Sequence, residues 1–197
     1  MSTFRIIESV RDVVMKTPNG LFATAAVRLC EPGGRLSEHV CLYRGMGPID
    51  TCLLRLNSAC VTSELFGCQR CDCAWQLAET LRRFRAEKSC AIVYTQTDEG
   101  RGHGIIAKLR SYLETDGSPS SGLQRRYVDA EDLRNFRSQA FVAHWLGIRR
   151  ARLLSNNRAK HAALLEQGIE VTEVVDLRCD EIALAELYRW KDSLVSK

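Results

Sequence analysis

Ala74-Trp-Gln-Leu-Ala-Glu-Thr-Leu-Arg-Arg-Phe-Arg-Ala-Glu-Lys-Ser-Cys-Ala-Ile-Val-Tyr-Thr95 is the stretch in which the hydrophobic period of the chain changes. Leu77, Leu81 and Phe84 fall at i, i+4 and i+7, one face of a helix, and Ser89–Thr95 then reads as a buried strand. Upstream, residues 3–56 alternate short apolar segments with turn signals at Thr17-Pro-Asn-Gly20, Glu31-Pro-Gly-Gly34 and Arg44-Gly-Met-Gly-Pro48, which predicts a β-meander. Downstream, Ile105, Ile106, Leu109, Tyr112 and Leu113 recur at helical spacing, and the Gly- and Ser-rich loop Gly117–Gly122 is a candidate cover for a ligand. A further helix is predicted over about Ala130–Leu146 with Gly147 as its left-handed cap, then a strand at Ala151–Leu154 and a helix over Asn156–Gln167. A strand at Ile169–Val175 and a closing helix at Ile182–Val195 complete the series. The expectation is a mixed α+β (α/β) fold in a single domain over residues 1–197, with a β-rich first third followed by αβ alternation.

The 197 residues, 45% of them hydrophobic, can bury one substantial core. No apolar run approaches the roughly 20 residues of a bilayer span, and the N-terminus has no signal-peptide core, so a cytoplasmic location with no membrane partner is expected. Nine cysteines then point away from a disulfide framework, because the cytosol keeps thiols reduced. Cys30, Cys41, Cys52, Cys90 and Cys179 stand among apolar neighbours and read as small buried hydrophobes. A net charge of +4 is modest, but Arg82, Arg83, Arg85, Lys88 and Arg125-Arg126 form local basic groups able to attract an anion. A solvated helix face accounts equally well for the first four.

The remaining cysteines cluster: Cys60, Cys68, Cys71 and Cys73 lie within fourteen residues. Thiolates are soft ligands that select zinc over magnesium or calcium. Four of them would close the tetrahedron of a structural site, whereas three would leave a position for water and make a catalytic one; the spacing leaves both open. Asn57-Ser58 before Cys60 and Gln76 after Cys73 add neutral hydrogen-bonding groups of the kind that contact a heterocycle. Three thiolates on a divalent zinc leave a net charge of −1, so its water is less acidified than on a three-histidine zinc, and the site needs nearby cations or a base. Further along, Asp98-Glu-Gly-Arg-Gly-His-Gly104 joins a predicted strand to a predicted helix, a place where backbone N–H groups hold phosphate, or where a tight turn simply passes.

These segments together resemble the GTP cyclohydrolase II family, in the same order along the chain. The stretches that carry the resemblance are Arg55-Leu-Asn-Ser-Ala-Cys60, Arg70-Cys-Asp-Cys-Ala-Trp-Gln76, Glu99-Gly-Arg101, Lys108-Leu-Arg-Ser-Tyr112, Asp132-Leu-Arg134 and Leu154-Ser-Asn-Asn-Arg-Ala-Lys160, within roughly residues 10–176. The resemblance implies one zinc ion on Cys60, Cys71 and Cys73, with Cys68 outside the ligand set. It implies nucleotide contacts at Arg55, Asn57, Ser58, Gln76, Glu99, Gly100, Arg101, Ser155 and Lys160. It implies a general base at Asp132, a family nucleophile position at Arg134 and a tyrosine beside the reacting purine at Tyr112. A guanidinium stays protonated in proteins, so Arg134 is better suited to clamping the α-phosphate. The implied reaction opens the imidazole ring of GTP with a zinc-activated water and releases formate and pyrophosphate. The product is a 2,5-diamino-6-ribosylamino-pyrimidinone 5′-phosphate, magnesium accompanies the triphosphate, and the implied assembly is a homodimer.

The chain departs from the family pattern at several positions. Asn57 stands where histidine is common, Ala59 where a glutamate precedes the first zinc cysteine, Thr95–Asp98 where Tyr-x-Arg-Gln is typical, and His103 where an aliphatic residue is usual. Those changes leave the zinc set intact and alter the charge and hydrogen-bond inventory of the pocket. They leave open another purine nucleotide, a stop at the formamidopyrimidine, or a specialised pathway in place of riboflavin synthesis. A different class, a four-sulfur zinc knuckle binding nucleic acid through the arginines, lacks a basic aromatic platform for bases.

Overall fold

The computed structural model describes residues 3–45, 47, 51–116 and 131–178. Strands β1 (Arg5–Thr17), β2 (Gly20–Cys30) and β3 (Leu36–Arg44) form a meander, each antiparallel to the next. Its turns fall on the first two predicted signals, closed by Thr17 Oγ1 donating to Gly20 O at 3.0 Å and by Glu31 N donating to Arg35 O at 2.8 Å.

The fourth strand, β4 (Thr51–Ser58), leaves the meander expected over residues 3–56. It does not pair with β3, because β5 (Cys90–Thr95) lies between them, antiparallel to β3 and parallel to β4. Burial explains the departure. Every residue from Cys52 to Asn57 is buried, as in a parallel strand covered on both faces, while β3 alternates as half-covered antiparallel strands do. Strands β6 (Arg150–Leu154) and β7 (Glu170–Val175) extend the parallel half, giving the order β1-β2-β3-β5-β4-β6-β7 among the described residues.

Among the described residues the α-helices are α1 (Val61–Glu64), α2 (Cys73–Phe84), α3 (Gly104–Asp116), α4 (Phe136–Trp145) and α5 (Arg158–Glu166). The pleat of the sheet divides the core in two. Leu54, Leu56, Ala91, Val93 and Leu153 face α4 and α5, meeting Ala140, Ala143 and Leu164. Leu53, Ile92 and Leu154 point the other way, onto Phe84 and the Trp75, Leu77 and Leu81 side chains of α2. The periodicity read from Leu77, Leu81 and Phe84 is therefore the buried face of α2, and Phe84 alone contributes on the order of 3 kcal/mol of apolar burial. Helix α3 has the predicted spacing, but its Ile105, Ile106, Leu109 and Leu113 are exposed.

The helix expected from Ala130 begins at Phe136. Asn135 caps it by accepting from Arg137 N at 3.2 Å, and residues 131–135 stay outside the helix. Gly147, at φ +100°, closes the other end as predicted, its N–H donating to His144 O at 3.0 Å. Cys41, Cys52 and Cys90 are buried, with burial pushing the first two thiols up to about 12 and the third to about 11, which fits inert hydrophobes; Cys30 is half-buried. Arg82 and Arg83 pair with Glu79 and Arg85 donates to Asn19 Oδ1, so this basic group is a solvated helix face. Loop Gly117–Gly122, Arg125-Arg126, Cys179 and the helix expected at Ile182–Val195 lie outside the described residues. Among the described residues no helix is long and apolar enough to cross a membrane.

Candidate active site

The sheet order reverses around β4, with β5 on one side and β6 on the other, so the connections leaving the carboxyl ends of these strands diverge and open a crevice. The segments after β4, β5 and β6 line a cavity of about 940 Å³ there, large enough for a nucleotide-sized ligand.

Cys60 follows β4, while Cys71 and Cys73 sit at the N-terminus of α2, whose dipole favours thiolates. Their three sulfurs lie within 4.8 Å of one another, with Cys60 and Cys71 3.5 Å apart. Tetrahedral zinc with sulfurs at about 2.3 Å needs them about 3.8 Å apart, so these donors suit the ion in number, softness and spacing. Among the described residues Cys68 is not part of the group and lies near Tyr112. Among the described residues the structure thus brings together three sulfurs, where the spacing left three or four open. Hydrogen bonds from Cys71 and Cys73, with help from Lys108, hold the Cys60 thiol far below its ordinary range against the effect of burial.

Arg55 and Asn57 project from β4 toward α2. Arg55 donates to Gln76 Oε1 at 2.6 Å, to Leu154 O at 3.2 Å and to Asn57 Oδ1 at 3.2 Å, and burial brings its guanidinium down to about 10, still charged at neutral pH. Asn57 is spent on Arg55 and on Glu64 Oε1 at 3.0 Å, off the cavity wall. Glu64 also accepts from Cys60 N at 3.3 Å and from the Tyr94 hydroxyl. A carboxylate thus reaches the backbone of the first cysteine even though Ala59 brings none. Ser58 Oγ donates to Asp98 Oδ2 at 2.8 Å, and Gln139 Nε2 reaches both that oxygen, at 3.0 Å, and Thr95 Oγ1, at 2.8 Å. Thr95 Oγ1 lies 2.8 Å from His39 Nδ1, and His39 Nε2 lies 3.1 Å from Ser37 Oγ. This buried chain runs from the sheet to Asp98, whose carboxyl is raised by burial and which borders the cavity.

The turn after β5 places Gly100 and Arg101 in the left-handed region, at φ 58° and 56°. For arginine that conformation is strained and persists because the surroundings hold it. Leu133 N donates to Arg101 O at 3.0 Å, Arg35 donates to Leu133 O at 3.2 Å and to Thr97 O at 3.3 Å, and His103 Nε2 lies 2.8 Å from Glu131 O. His103, a departure from the family pattern, anchors the segment carrying Asp132 and Arg134. Asp132 pairs within its own segment. It accepts from Arg134 Nε at 2.8 Å and Nη2 at 2.5 Å, and although burial opposes it, Arg134 holds the Asp132 carboxyl below its usual range.

Glu99 is turned inward: Oε2 accepts from Val61 N at 2.6 Å, and Oε1 from Lys108 Nζ at 2.6 Å and Gly100 N at 3.2 Å. Lys160 is almost fully buried and donates to Leu56 O at 2.7 Å; burial first, then the charges of Arg55 and Arg134, push its ammonium well down. Tyr112 Oη lies 3.2 Å from Thr62 Oγ1, and the Arg70 guanidinium sits 4.3 Å above its ring. Of the expected contacts, Asn57, Glu99 and Asp132 are off the cavity wall and the others are on it. Lys108, Glu64 and the ligand-facing side of Asp98 were not assigned roles from sequence. Lys108 stands four residues before Tyr112, on the same face of α3, a spacing that would have flagged it.

Fold and site together define a mixed-sheet protein whose cationic cleft brings together three cysteine sulfurs that could hold a metal ion. Residues 8–176 match the model of the GTP cyclohydrolase II family, and the chain belongs to that family. It is 38% identical over 144 residues to a GTP cyclohydrolase-2 of Streptomyces coelicolor, covering 73% of this chain and 65% of the relative. It is 32% identical over 190 residues to the riboflavin biosynthesis protein RibBA of Parabacteroides distasonis, covering 95% of this chain. The chain spans about half the length of that relative, 46%. A solved structure, the two-domain 3,4-dihydroxy-2-butanone 4-phosphate synthase RibBX of A. baumannii, gives a TM-score of 0.41 at 16% identity over 91% of this chain and 41% of that one.

Proposed function

We propose that this chain is a zinc-dependent hydrolase that opens the imidazole ring of GTP, releasing formate and pyrophosphate, and that its pyrimidine product feeds flavin synthesis. The observation that carries the reading is the set of three sulfurs, Cys60, Cys71 and Cys73, within 4.8 Å of one another on the wall of a cleft bordered by Arg55, Arg101, Arg134 and Lys160. A four-sulfur structural knuckle would have needed Cys68 in that set.

Zinc, when bound by these cysteines, supplies Lewis-acid activation of water. The chain's own residues do the rest. Arg101, Arg134 and Lys160 neutralise the triphosphate, whose magnesium keeps several waters of its own. Arg55 and Asp72, donating to and accepting from Gln76 at 2.6 and 2.8 Å, fix that amide for the heterocycle. Tyr112, held by Thr62 beside the sulfurs, shares a proton with the opened ring. By family resemblance Asp132, behind the cavity wall and kept ionised by Arg134, is the proton acceptor, and Arg134, on the wall, is the clamp on the α-phosphate. A homodimer in the cytoplasm completes the reading by family resemblance. A second reading, the same chemistry on another purine nucleotide, is favoured by Asp98, a carboxylate bordering the cavity where the family carries an amide.

The test is to incubate zinc-loaded protein with GTP and magnesium and to follow formate, pyrophosphate and the pyrimidine together, with Cys71→Ser as control. All three products are expected from the parent, with zinc content reduced and turnover at least about 100-fold lower in the variant. Pyrophosphate without formate would mean a stop at the formamidopyrimidine. Turnover of another purine nucleotide but not GTP would replace the substrate.

A further inference from the structure

We propose that Lys108 is a positioning residue of the metal centre: its ammonium is the charge partner of the Cys60 sulfur, and Glu99 holds it there. The inference rests on the reading of Cys60, Cys71 and Cys73 as the zinc ligands and adds a residue that this reading leaves without a role. Lys108 Nζ lies 3.0 Å from Cys60 Sγ and 2.6 Å from Glu99 Oε1. Both side chains of the ion pair are nearly buried, at 8% and 9% exposure.

A buried lysine needs a partner, and Glu99 alone would neutralise it. The contact with sulfur goes beyond that need. It is also geometrically closed, because Glu99 Oε2 accepts from the N–H of Val61, the residue that follows Cys60, at 2.6 Å. Cys60 Sγ, Lys108, Glu99 and the backbone at Val61 therefore form a ring of contacts, and the lysine cannot shift without disturbing the rotamer of Cys60. Glu99 is in turn fixed by Gly100 N at 3.2 Å, at the start of the strained turn that brings Arg101 to the cleft.

The physical need is the charge of the centre. Three thiolates on a divalent ion leave it at −1, which weakens its pull on the electrons of a fourth ligand. A cation donating to one sulfur withdraws density from that sulfur and returns pull to the ion, the way groups beyond the ligands tune many metal sites. Lys108 also borders the cavity, so its charge is felt where substrate binds.

The experiment loads the full chain with Co2+ in place of zinc and compares the parent with Lys108→Met, Lys108→Arg and Glu99→Gln. Two readouts are independent of turnover: the position of the sulfur-to-cobalt charge-transfer band and metal affinity by competition with a chromophoric chelator. In Lys108→Met the band is expected to move to longer wavelength, since the sulfur becomes more electron-rich, and affinity to fall about 10-fold or more. Lys108→Arg should restore the band, and Glu99→Gln should shift it in the same direction by less. A folded Lys108→Met with unchanged band and affinity overturns the proposal. If that variant does not fold, the ruling passes to Glu99→Gln, for which an unchanged band does the same. A parent that shows no sulfur-to-cobalt band at all removes the metal reading itself, an outcome distinct from failure of the lysine alone.

Discussion

Protonating His39 should destabilise the fold in a defined pH window. The side chain is 1% exposed on β3, with both ring nitrogens in contact with hydroxyls, Ser37 Oγ at 3.1 Å and Thr95 Oγ1 at 2.8 Å. Burial, with a smaller contribution from the Arg35 charge, brings its pKa from 6.5 down to about 4. The folded state thus keeps the ring neutral where the unfolded chain already binds a proton. Between pH 6.5 and about 4 the unfolded state carries more protons, so stability is complete above this window and declines as pH falls through it. The gap between 6.5 and about 4, at about 1.4 kcal/mol for each pH unit, comes to about 3 kcal/mol, a large share of the margin of an ordinary domain. The assay is urea unfolding at half-unit pH steps, comparing the parent with His39→Gln. The variant should lose about 1 kcal/mol at pH 7.5 through poorer hydrogen bonds and show a flatter profile from pH 6.5 to 4.5. Equal slopes for the two proteins in that window would refute the reasoning.

Gly102 has φ +88°, and a Cβ there would lie 3.1 Å from Leu133 C and Cβ. Gly102→Ala should therefore cost about 2–4 kcal/mol from left-handed strain and overpacking, and lower turnover about 100-fold by displacing Asp132 and Arg134 while zinc content is unchanged; full turnover in the folded variant would count against this docking. Lys160→Met removes a buried cation crowded by Arg55 and Arg134, so the melting temperature should hold or rise while KM for the nucleotide increases about 10- to 100-fold. Because its pKa is lowered, the parent should also bind nucleotide more weakly as pH rises, a trend measurable by calorimetry that disappears in Lys160→Met.

The sequence carried most of the site. Clustered cysteines pointed to a group able to hold a metal, and the ordered motifs from Arg55 to Lys160 named cations that the structure brings to one cleft. Local patterns were legible wherever local physics decides: the buried face of α2 in Leu77, Leu81 and Phe84, and the left-handed cap at Gly147. Two local readings failed for a tertiary reason. The start of α4 at Phe136 is fixed by the Asn135 cap and by the docking of residues 131–135 against Arg101, which helical periodicity does not record.

Strand pairing was the other. An apolar segment such as Cys52–Leu56 reveals that it is buried but not which neighbour covers it, and β5 entered between β3 and β4 from some thirty residues downstream. The sequence by itself determined the alternation of elements, the clustering of soft cysteine donors and the basic residues of the motifs. Tertiary structure alone decided that Cys68 stands apart, that Glu99 and Asn57 turn inward as supports, and that Lys108 meets Cys60. Those outcomes depend on distances between residues far apart in the chain, set by how α2, α3 and the sheet pack together rather than by the preferences of any one segment.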